Sequence, residues 1–160
     1  MIQQARILVI DDDESIRRTL SMALRHAGYT VDTAESGKQA IEKSAEKFYN
    51  LALIDIRLPD MEGTEILKAL PETTPRMVKI ILTGFPTLQN AVTAINKGID
   101  AYLMKPVNSD ELLRLIKEHL DKQKQEAQYG QEKLADFVET RLKELTSKEP
   151  GSQETQETNN

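Results

Sequence analysis

Residues 51–61 read Leu-Ala-Leu-Ile-Asp-Ile-Arg-Leu-Pro-Asp-Met. The apolar run 51–54 is typical of a strand that is buried on both faces of a sheet. It ends at the carboxylate of Asp55, and Pro59 then breaks regular structure. In an open parallel sheet, ligands bind just beyond the carboxyl ends of the strands. Asp55 alone would be interpreted as a turn residue, so its role depends on what the other strands bring to the same edge.

Four further apolar runs have the length and composition of strands, and apolar residues at helical spacing follow each of them. The predicted strands are 6–10, 29–34, 51–54, 77–82 and 101–104. Strand and helix therefore alternate five times. With right-handed crossovers, this predicts a three-layer α/β domain around a parallel sheet. The predicted helix signals are Asp13, Ser36, Thr87 and either Asn108 or Ser109 as N-caps, Gly28 and Gly98 as stops, and a short helix at 62–70.

Residues 1–122 form the predicted domain, and the composition of the sequence changes after them. Residues 123–130 are mostly charged or amide side chains, and we expect a polar linker or an extension of the last domain helix, with Gly130 as a break. Residues 131–147 have the spacing of an amphipathic helix too short to be stable alone. Its apolar stripe is expected to pack on the domain or against a second copy. Residues 148–160 are polar and expected to be disordered.

Composition excludes several classes of function. The formal net charge of -5 argues against a nucleic-acid-binding surface. With no cysteine, a disulfide framework, a thiolate metal site and a cysteine nucleophile are excluded. No signal-peptide pattern and no apolar run of membrane-spanning length occur in the sequence. The expectation is a cytoplasmic protein that binds neither nucleic acid nor membranes and carries no DNA-binding domain.

Polar residues follow four of the predicted strands at the same edge of the sheet. Asp11 and Asp12 follow the first strand, and Asp55, Thr83 and Lys105 follow the third, fourth and fifth. Neighbouring carboxylates raise each other's pKa, and a hard divalent cation such as Mg²⁺ relieves that repulsion. A lysine and a threonine hydroxyl can hold phosphoryl oxygens. Each residue alone is ordinary at a strand end, but together they predict phosphoryl transfer to a carboxylate nucleophile, Asp55.

Four motifs closely resemble the receiver domain of two-component response regulators, in particular the stand-alone, chemotaxis-regulator-like form. They are Ile-Leu-Val-Ile-Asp-Asp at 7–12, Leu-Ile-Asp-Ile-Arg-Leu-Pro-Asp-Met-Glu-Gly at 53–63, Leu-Thr-Gly at 82–84 and Tyr-Leu-Met-Lys-Pro at 102–106. The resemblance covers roughly residues 5–122. It implies the flavodoxin-like (βα)5 fold with strand order 2-1-3-4-5, followed here by the C-terminal amphipathic helix.

The resemblance also implies roles for the acidic residues. Asp55 is expected to be the phosphoacceptor. Asp12 and Asp55 are expected to bind Mg²⁺ directly, together with the backbone carbonyl of Arg57. Asp11 is expected to bind the ion through water.

Further residues have implied roles in binding and switching. Thr83 and Lys105 are expected to hold the phosphoryl oxygens, and the Lys105-Pro106 peptide bond is expected to be cis. Tyr102 matches the aromatic switch residue that turns inward when Thr83 moves toward the phosphoryl group. The residues expected to dock the kinase are Ile16, Thr19, Pro106 and Val107.

The implied function is a phosphorylation-dependent switch with at most slow self-dephosphorylation, not an enzyme. Its phosphoryl donor would be a sensor histidine kinase and its output an unknown protein target, with a homodimer as a further option. A relay intermediate that passes its phosphoryl group to another histidine is an alternative. A Mg²⁺-dependent phosphohydrolase is a third hypothesis, although such enzymes usually have an acidic residue where this chain has Arg57. We also hypothesise that Phe85 shields the aspartyl phosphate from water.

Overall fold

The computed structural model describes residues 4–147, in which five strands and five helices alternate. The strands are β1 (Arg6–Ile10), β2 (Thr30–Ala34), β3 (Leu51–Asp55), β4 (Val78–Thr83) and β5 (Ala101–Met104). The helices are α1 (Glu14–His26), α2 (Gly37–Glu46), α3 (Gly63–Ala69), α4 (Leu88–Asn96) and α5 (Ser109–Ser147). The strands lie within about a residue or two of their predicted positions, which is the ordinary uncertainty of element ends.

The five strands form one parallel sheet in the order β2-β1-β3-β4-β5. The predicted flavodoxin-like fold is therefore confirmed. In the register of the sheet, Ile10 pairs with Ile54, Asp55 with Leu82, and Thr83 with Met104. The carboxyl ends of β1, β3, β4 and β5 therefore lie at one edge of the sheet, as the predicted common site requires.

The core consists of two apolar layers, one on each face of the sheet. Because successive strand residues point to opposite faces, Leu8 and Ile10 of β1 enter one layer while Ile7 and Val9 enter the other. The first layer also contains residues of α2, α3 and α4, and the second contains residues of α1 and α5. All five residues of β3 are buried, which is why its sequence is a continuous apolar run.

The ends of the helices follow the predicted signals. The Ile16 amide donates to the carboxylate of Asp13 at 3.1 Å, which makes Asp13 the N-cap of α1. At the start of α5 the side chain of Asn108 accepts from two amides, so Asn108 and not Ser109 provides the cap. Gly28 and Gly98 have φ values of 99° and 86°, a conformation that favours glycine after a helix.

Helix α5 continues past residue 122, where the predicted domain ends. Residues 123–130 lie within it, so they extend the last domain helix and are not a linker. Gly130 is inside the helix and does not break it, which is compatible with a cost of about 1 kcal/mol for an interior glycine. Gln123 lies in a polar stretch of the sequence that gave no sign of burial, yet it is only 7% exposed. Its Nε2 donates to the carbonyls of Asn50 at 2.9 Å and Arg76 at 2.7 Å. Gln123 thereby fastens α5 to the segments that precede β3 and β4.

The described residues divide after Glu126 into two compact units. The second unit is the C-terminal part of α5, so the predicted amphipathic helix is present. Its exposed apolar side chains are Leu134, Phe137, Val138, Leu142 and Leu145. What covers this stripe stays a prediction, and the disorder expected for 148–160 lies outside the described residues. Within 4–147, no helix combines the length and the hydropathy needed to cross a membrane.

Candidate functional site

Three carboxylates meet at the carboxyl edge of the sheet. Asp11 and Asp12 directly follow β1, and Asp55 is the last residue of β3. One carboxylate oxygen from each residue lies within 4.8 Å of the other two. Asp11 and Asp55 are buried, whereas Asp12 is exposed to solvent. The cluster therefore has the composition of a site for a divalent metal ion and is open on one side.

Lys105, the first residue after β5, completes the group. Its Nζ lies 2.6 Å from Asp11 Oδ2 and 3.4 Å from Asp55 Oδ2. The second oxygen of Asp11 accepts a hydrogen bond from the amide of Asp13 at 2.9 Å. One ammonium thus faces two buried carboxylates, and a third carboxylate lies beside them. The negative charge of this group exceeds its positive charge, which favours an additional cation.

The pKa values reflect this imbalance. Burial, reinforced by the negative charge of Asp11, raises the pKa of the Asp55 carboxyl, although Lys105 and the Arg57 amide act in the opposite direction. Burial alone would lower the pKa of Lys105, but its hydrogen bond to Asp11 and the charges of both buried carboxylates outweigh burial and raise that pKa. Lys105 therefore remains a cation at neutral pH, while the site disfavours the ionised form of Asp55.

The hydroxyl groups of Thr83 and Tyr102 belong to the neighbouring strands β4 and β5, with Thr83 as the last residue of β4 and Tyr102 as the second residue of β5. Thr83 is 1% exposed, and its Oγ1 accepts from the Phe85 amide at 3.1 Å, which leaves its proton available to another acceptor. The Tyr102 ring packs against the core layer of α2, α3 and α4, and its buried hydroxyl has no hydrogen-bond partner among the described residues. Burial raises the pKa of this phenol.

Arg57 and Phe85 form a contact that sequence reasoning did not predict. The guanidinium of Arg57 lies 4.4 Å from the centroid of the Phe85 ring, which is the geometry of a cation–π interaction. The amide of Arg57 donates to Asp55 Oδ1 at 3.3 Å, and Phe85 is bonded through its amide to Thr83. The pair therefore joins the loops that follow β3 and β4. Neither sequence spacing nor apolar periodicity signals such a contact.

Comparison with known proteins identifies the family. The family model of the response regulator receiver domain matches residues 7–117. This chain belongs to that family. A receiver domain described as CheY-like, from Methanospirillum hungatei JF-1, is 46% identical, with a TM-score of 0.74. The match covers 78% of this chain and 99% of that one.

Other relatives place the receiver in longer proteins or describe its ligands. The transcriptional regulatory protein ZraR of Klebsiella oxytoca is 40% identical over 118 residues, which cover 74% of this chain and 27% of ZraR. The chain spans between about a quarter and half the length of the curated relatives it matches. A Burkholderia pseudomallei response regulator, solved with a phosphorylated aspartic acid, calcium ion and citrate, is 28% identical with a TM-score of 0.67. That match covers 77% of this chain and 72% of the other.

The predicted kinase-docking residues of the receiver lie together. A groove of about 480 Å³ between α1 and the segment after β5 is lined by several residues. They include Ile16, Thr19, Pro106 and Val107. Lys105, whose ammonium contacts Asp11 and Asp55, lines the same groove, and the Lys105-Pro106 bond is cis as the resemblance implied. The structure therefore brings these four residues together, while their role in docking stays a prediction.

In Mg²⁺-free buffer, we expect Asp55→Asn to raise the free energy of unfolding of the receiver at neutral pH by about 1 kcal/mol, the usual scale of stabilising single substitutions. Because the pKa of Asp55 is raised on folding, the carboxyl stabilises the native state below its ordinary pKa of 3.8. That stabilisation is lost as the pH rises through the pKa of Asp55 in the native state. The side-chain amide of the Asp55→Asn variant does not ionise, so the variant does not lose stability in this way.

Urea denaturation at a series of pH values measures this difference. The advantage of Asp55→Asn should shrink as the pH falls toward the ordinary range of carboxyl groups. A variant that is no more stable than the wild type at neutral pH would contradict the electrostatic account of the site.

Proposed function

We propose that this receiver is a signalling switch that accepts a phosphoryl group on Asp55 from the phosphohistidine of a sensor histidine kinase. The observation that carries the proposal is the buried carboxylate of Asp55 within reach of Lys105 and clustered with Asp11 and Asp12. The proposal is further supported by the Burkholderia pseudomallei relative, whose structure contains a phosphorylated aspartic acid.

The proposed metal cofactor is Mg²⁺. Three clustered carboxylates facing one ammonium fit a hard divalent cation, and the exposure of Asp12 gives it a path of entry. The proposed direct ligands are the carboxylates of Asp12 and Asp55 and the backbone carbonyl of Arg57, and Asp11 would act through water. When bound, the ion neutralises negative charge on phosphoryl oxygens.

In the proposed transfer, a carboxylate oxygen of Asp55 attacks the phosphorus atom of the donor. An oxygen–phosphorus bond forms while the phosphorus–nitrogen bond breaks, and the leaving imidazole keeps the electron pair and takes up a proton from solvent. The ammonium of Lys105, 3.4 Å from the Asp55 carboxylate, and the hydroxyl of Thr83 hold phosphoryl oxygens. Positioning and neutralisation of charge provide most of the catalysis in such transfers.

Phosphorylation is proposed to shift an equilibrium between two states of Thr83 and Tyr102. The modification adds nearly two negative charges and strong hydrogen-bond acceptors at the site. The Thr83 hydroxyl, which holds the Phe85 amide in this structure, can donate to those acceptors. When Thr83 moves, the Tyr102 ring is proposed to turn with it. No hydrogen bond within the described chain holds the Tyr102 hydroxyl against this movement. Such a change biases existing conformations and does not build new ones.

A sensor kinase is proposed to dock in the groove that contains Ile16, Thr19, Pro106 and Val107. The groove leads to Lys105, so a helix seated there could present a phosphohistidine to Asp55. The target is proposed to bind the apolar surface of α4 and β5. This surface contains Leu88, Val92, Ile95 and Met104, which are 82%, 48%, 64% and 62% exposed. Leu88, Val92 and Ile95 are spaced to lie on one face of α4, an exposed apolar face is typical of a protein-binding surface, and the net charge of -5 disfavours nucleic acid.

Two alternatives remain distinguishable from this proposal. In a relay, labelled phosphate on Asp55 would move to a histidine of another protein, whereas in a terminal switch it would be lost only to water. A phosphohydrolase would release many phosphates per protein from phosphomonoesters. The side chain of Arg57 contacts the Phe85 ring and offers no acid for that reaction, which disfavours the hydrolase. Pairing of two copies through the C-terminal helix stays a prediction.

Incubation with acetyl phosphate and Mg²⁺, followed by mass measurement of the intact protein, tests the proposed function. We expect one added phosphoryl group that hydroxylamine removes, and no addition when EDTA replaces Mg²⁺. A wild-type protein that acquires no phosphoryl group with Mg²⁺ would contradict the proposal.

We expect Phe85→Ala to speed the loss of phosphate from the phosphorylated receiver about two- to fivefold, which corresponds to about 0.5–1 kcal/mol of lost cation–π contact. Without the ring, Arg57 loses its contact, and the side chains no longer join the loops after β3 and β4. Phosphate release followed over time measures the rate. Met22→Ala is the matched control, since Met22 is also apolar, is 66% exposed and lies in α1. Equal rates for Phe85→Ala and the wild type would refute the shielding hypothesis.

A further inference from the structure

The loop between β3 and α3 is closed at its base. The Gly63 amide donates to the Ile56 carbonyl at 2.7 Å, and Arg57 and Glu62 form an isolated antiparallel bridge. A Cβ at Gly63 would lie 2.5 Å from the carbonyl oxygen of Asp55, so the closure requires glycine. These contacts bring the two ends of the loop together beside Asp55, but they do not hold its tip.

The tip of the loop is held by a different element, the N-terminus of α2. The carboxylate of Asp60 accepts from the amide of Gly37 at 2.8 Å and from that of Lys38 at 2.9 Å. Amides in the first turn of a helix have no partner within the helix, so a carboxylate is well placed to bind them. The side chain of Met61 also covers Gly37, where a Cβ would collide with Met61 Cγ. Asp60 and Met61 thus fasten the loop to a helix more than twenty residues earlier in the chain.

We propose that Asp60 is a positioning residue of the metal site, which holds the loop so that the backbone carbonyl of Arg57 stays in place to bind Mg²⁺. The inference rests on the proposed function. Arg57 lies between Asp55, whose carboxylate binds the Arg57 amide, and the tip held by Asp60. A loop free at its tip would lose more conformational entropy when the ion binds, and affinity would fall accordingly.

A purely structural role for Asp60, as a second cap of α2, predicts a different result. The same helix has its own cap, since Ser36 Oγ accepts from the Gln39 amide at 3.1 Å. Ser36→Ala therefore removes a hydrogen bond from the same helix end without touching the loop. A structural role predicts similar effects for Ser36→Ala and Asp60→Ala, whereas a positioning role predicts that only Asp60→Ala weakens Mg²⁺ binding.

Calorimetric titration with Mg²⁺ of the full chain and its variants tests the inference. For Asp60→Ala we expect the Kd for Mg²⁺ to rise about three- to tenfold. The upper value equals the smallest loss of metal affinity, about tenfold, that is typical when a residue supporting a metal ligand is removed. Asp60→Asn keeps one acceptor oxygen and should be intermediate, which also provides a second variant if the alanine variant folds poorly. Ser36→Ala should bind Mg²⁺ as the wild type does.

The possible failures are distinguishable. If the wild type binds Mg²⁺ and Asp60→Ala has the same Kd, the inference is overturned and the proposed function stands. If Ser36→Ala weakens binding as much as Asp60→Ala, the effect belongs to α2 and the inference is also overturned. If the wild type does not bind Mg²⁺, both the inference and the proposed metal site are overturned.

Discussion

Replacing Asp55 with asparagine is expected to abolish phosphorylation by acetyl phosphate and Mg²⁺. The amide has nearly the same shape as the carboxylate but is not a nucleophile, so the reaction loses its acceptor while the site keeps its packing. Asp55 is only 8% exposed and lies at the end of a fully buried strand, which fixes its position. Mass measurement of the intact protein after incubation should show the unmodified species alone.

Two comparisons make this result specific. Asp13→Asn is the matched control, because Asp13 is a neighbouring aspartate whose side chain caps α1, and this variant should be phosphorylated normally. The stability expected for Asp55→Asn in Mg²⁺-free buffer is at least that of the wild type, so unfolding would not explain a loss of the reaction. Phosphorylation of Asp55→Asn at the wild-type level would assign the acceptor to another residue.

The second large effect is expected for Lys105→Met in Mg²⁺-free buffer, which should lower the free energy of unfolding by about 3 kcal/mol. Methionine has a similar length but no charge, so Asp11 and Asp55 would lose the ammonium that lies 2.6 Å and 3.4 Å from their carboxylates. Removing one partner of a buried pair is costly because the other charge remains buried without compensation. Three carboxylates would then share the edge of the sheet with no ammonium at that position.

Urea denaturation with and without Mg²⁺ measures the effect. Mg²⁺ should restore part of the stability of Lys105→Met, since the ion supplies positive charge at the same cluster. Lys117→Met is the matched control, because Lys117 forms an exposed pair with Asp121 at 2.8 Å and its loss should change stability little. A Lys105→Met protein as stable as the wild type without Mg²⁺ would show that the buried pair contributes nothing to folding.

The sequence predicted the sheet and most of the site because both follow from simple periodicity. Each buried parallel strand is a continuous apolar run, and the first polar residue after such a run marks the edge of the sheet. Asp11, Asp55 and Lys105 could therefore be assigned to one edge before any contact was known. The strand order places β5 two strands from β3 and three from β1, so the ion pairs of Lys105 with Asp55 and Asp11 could not be read from that order alone and are a finding of the structure.

The residues that sequence reasoning missed are polar and act across long separations. Asp60 binds amides 22 and 23 residues earlier, and Gln123 binds the Asn50 carbonyl 73 residues earlier. Hydrophobic periodicity assigns such residues to loops or solvated faces because it records only which side chains are apolar. The Arg57–Phe85 contact was missed for a related reason, since it joins two loops whose approach depends on the completed sheet.

Gln123 has a consequence for how this protein is shortened in the laboratory. The family model ends at residue 117, and a stop codon placed there would look natural from sequence alone. It would remove the amide that donates to the Asn50 and Arg76 carbonyls, together with the buried Leu120. The Asn50 carbonyl would keep its hydrogen bond from the Val78 amide, but the Arg76 carbonyl would lose the Gln123 donor, and such a hydrogen bond typically contributes about 0.5–1.5 kcal/mol. A shortened form for crystallisation or NMR should therefore extend to Glu126, where the first compact unit ends.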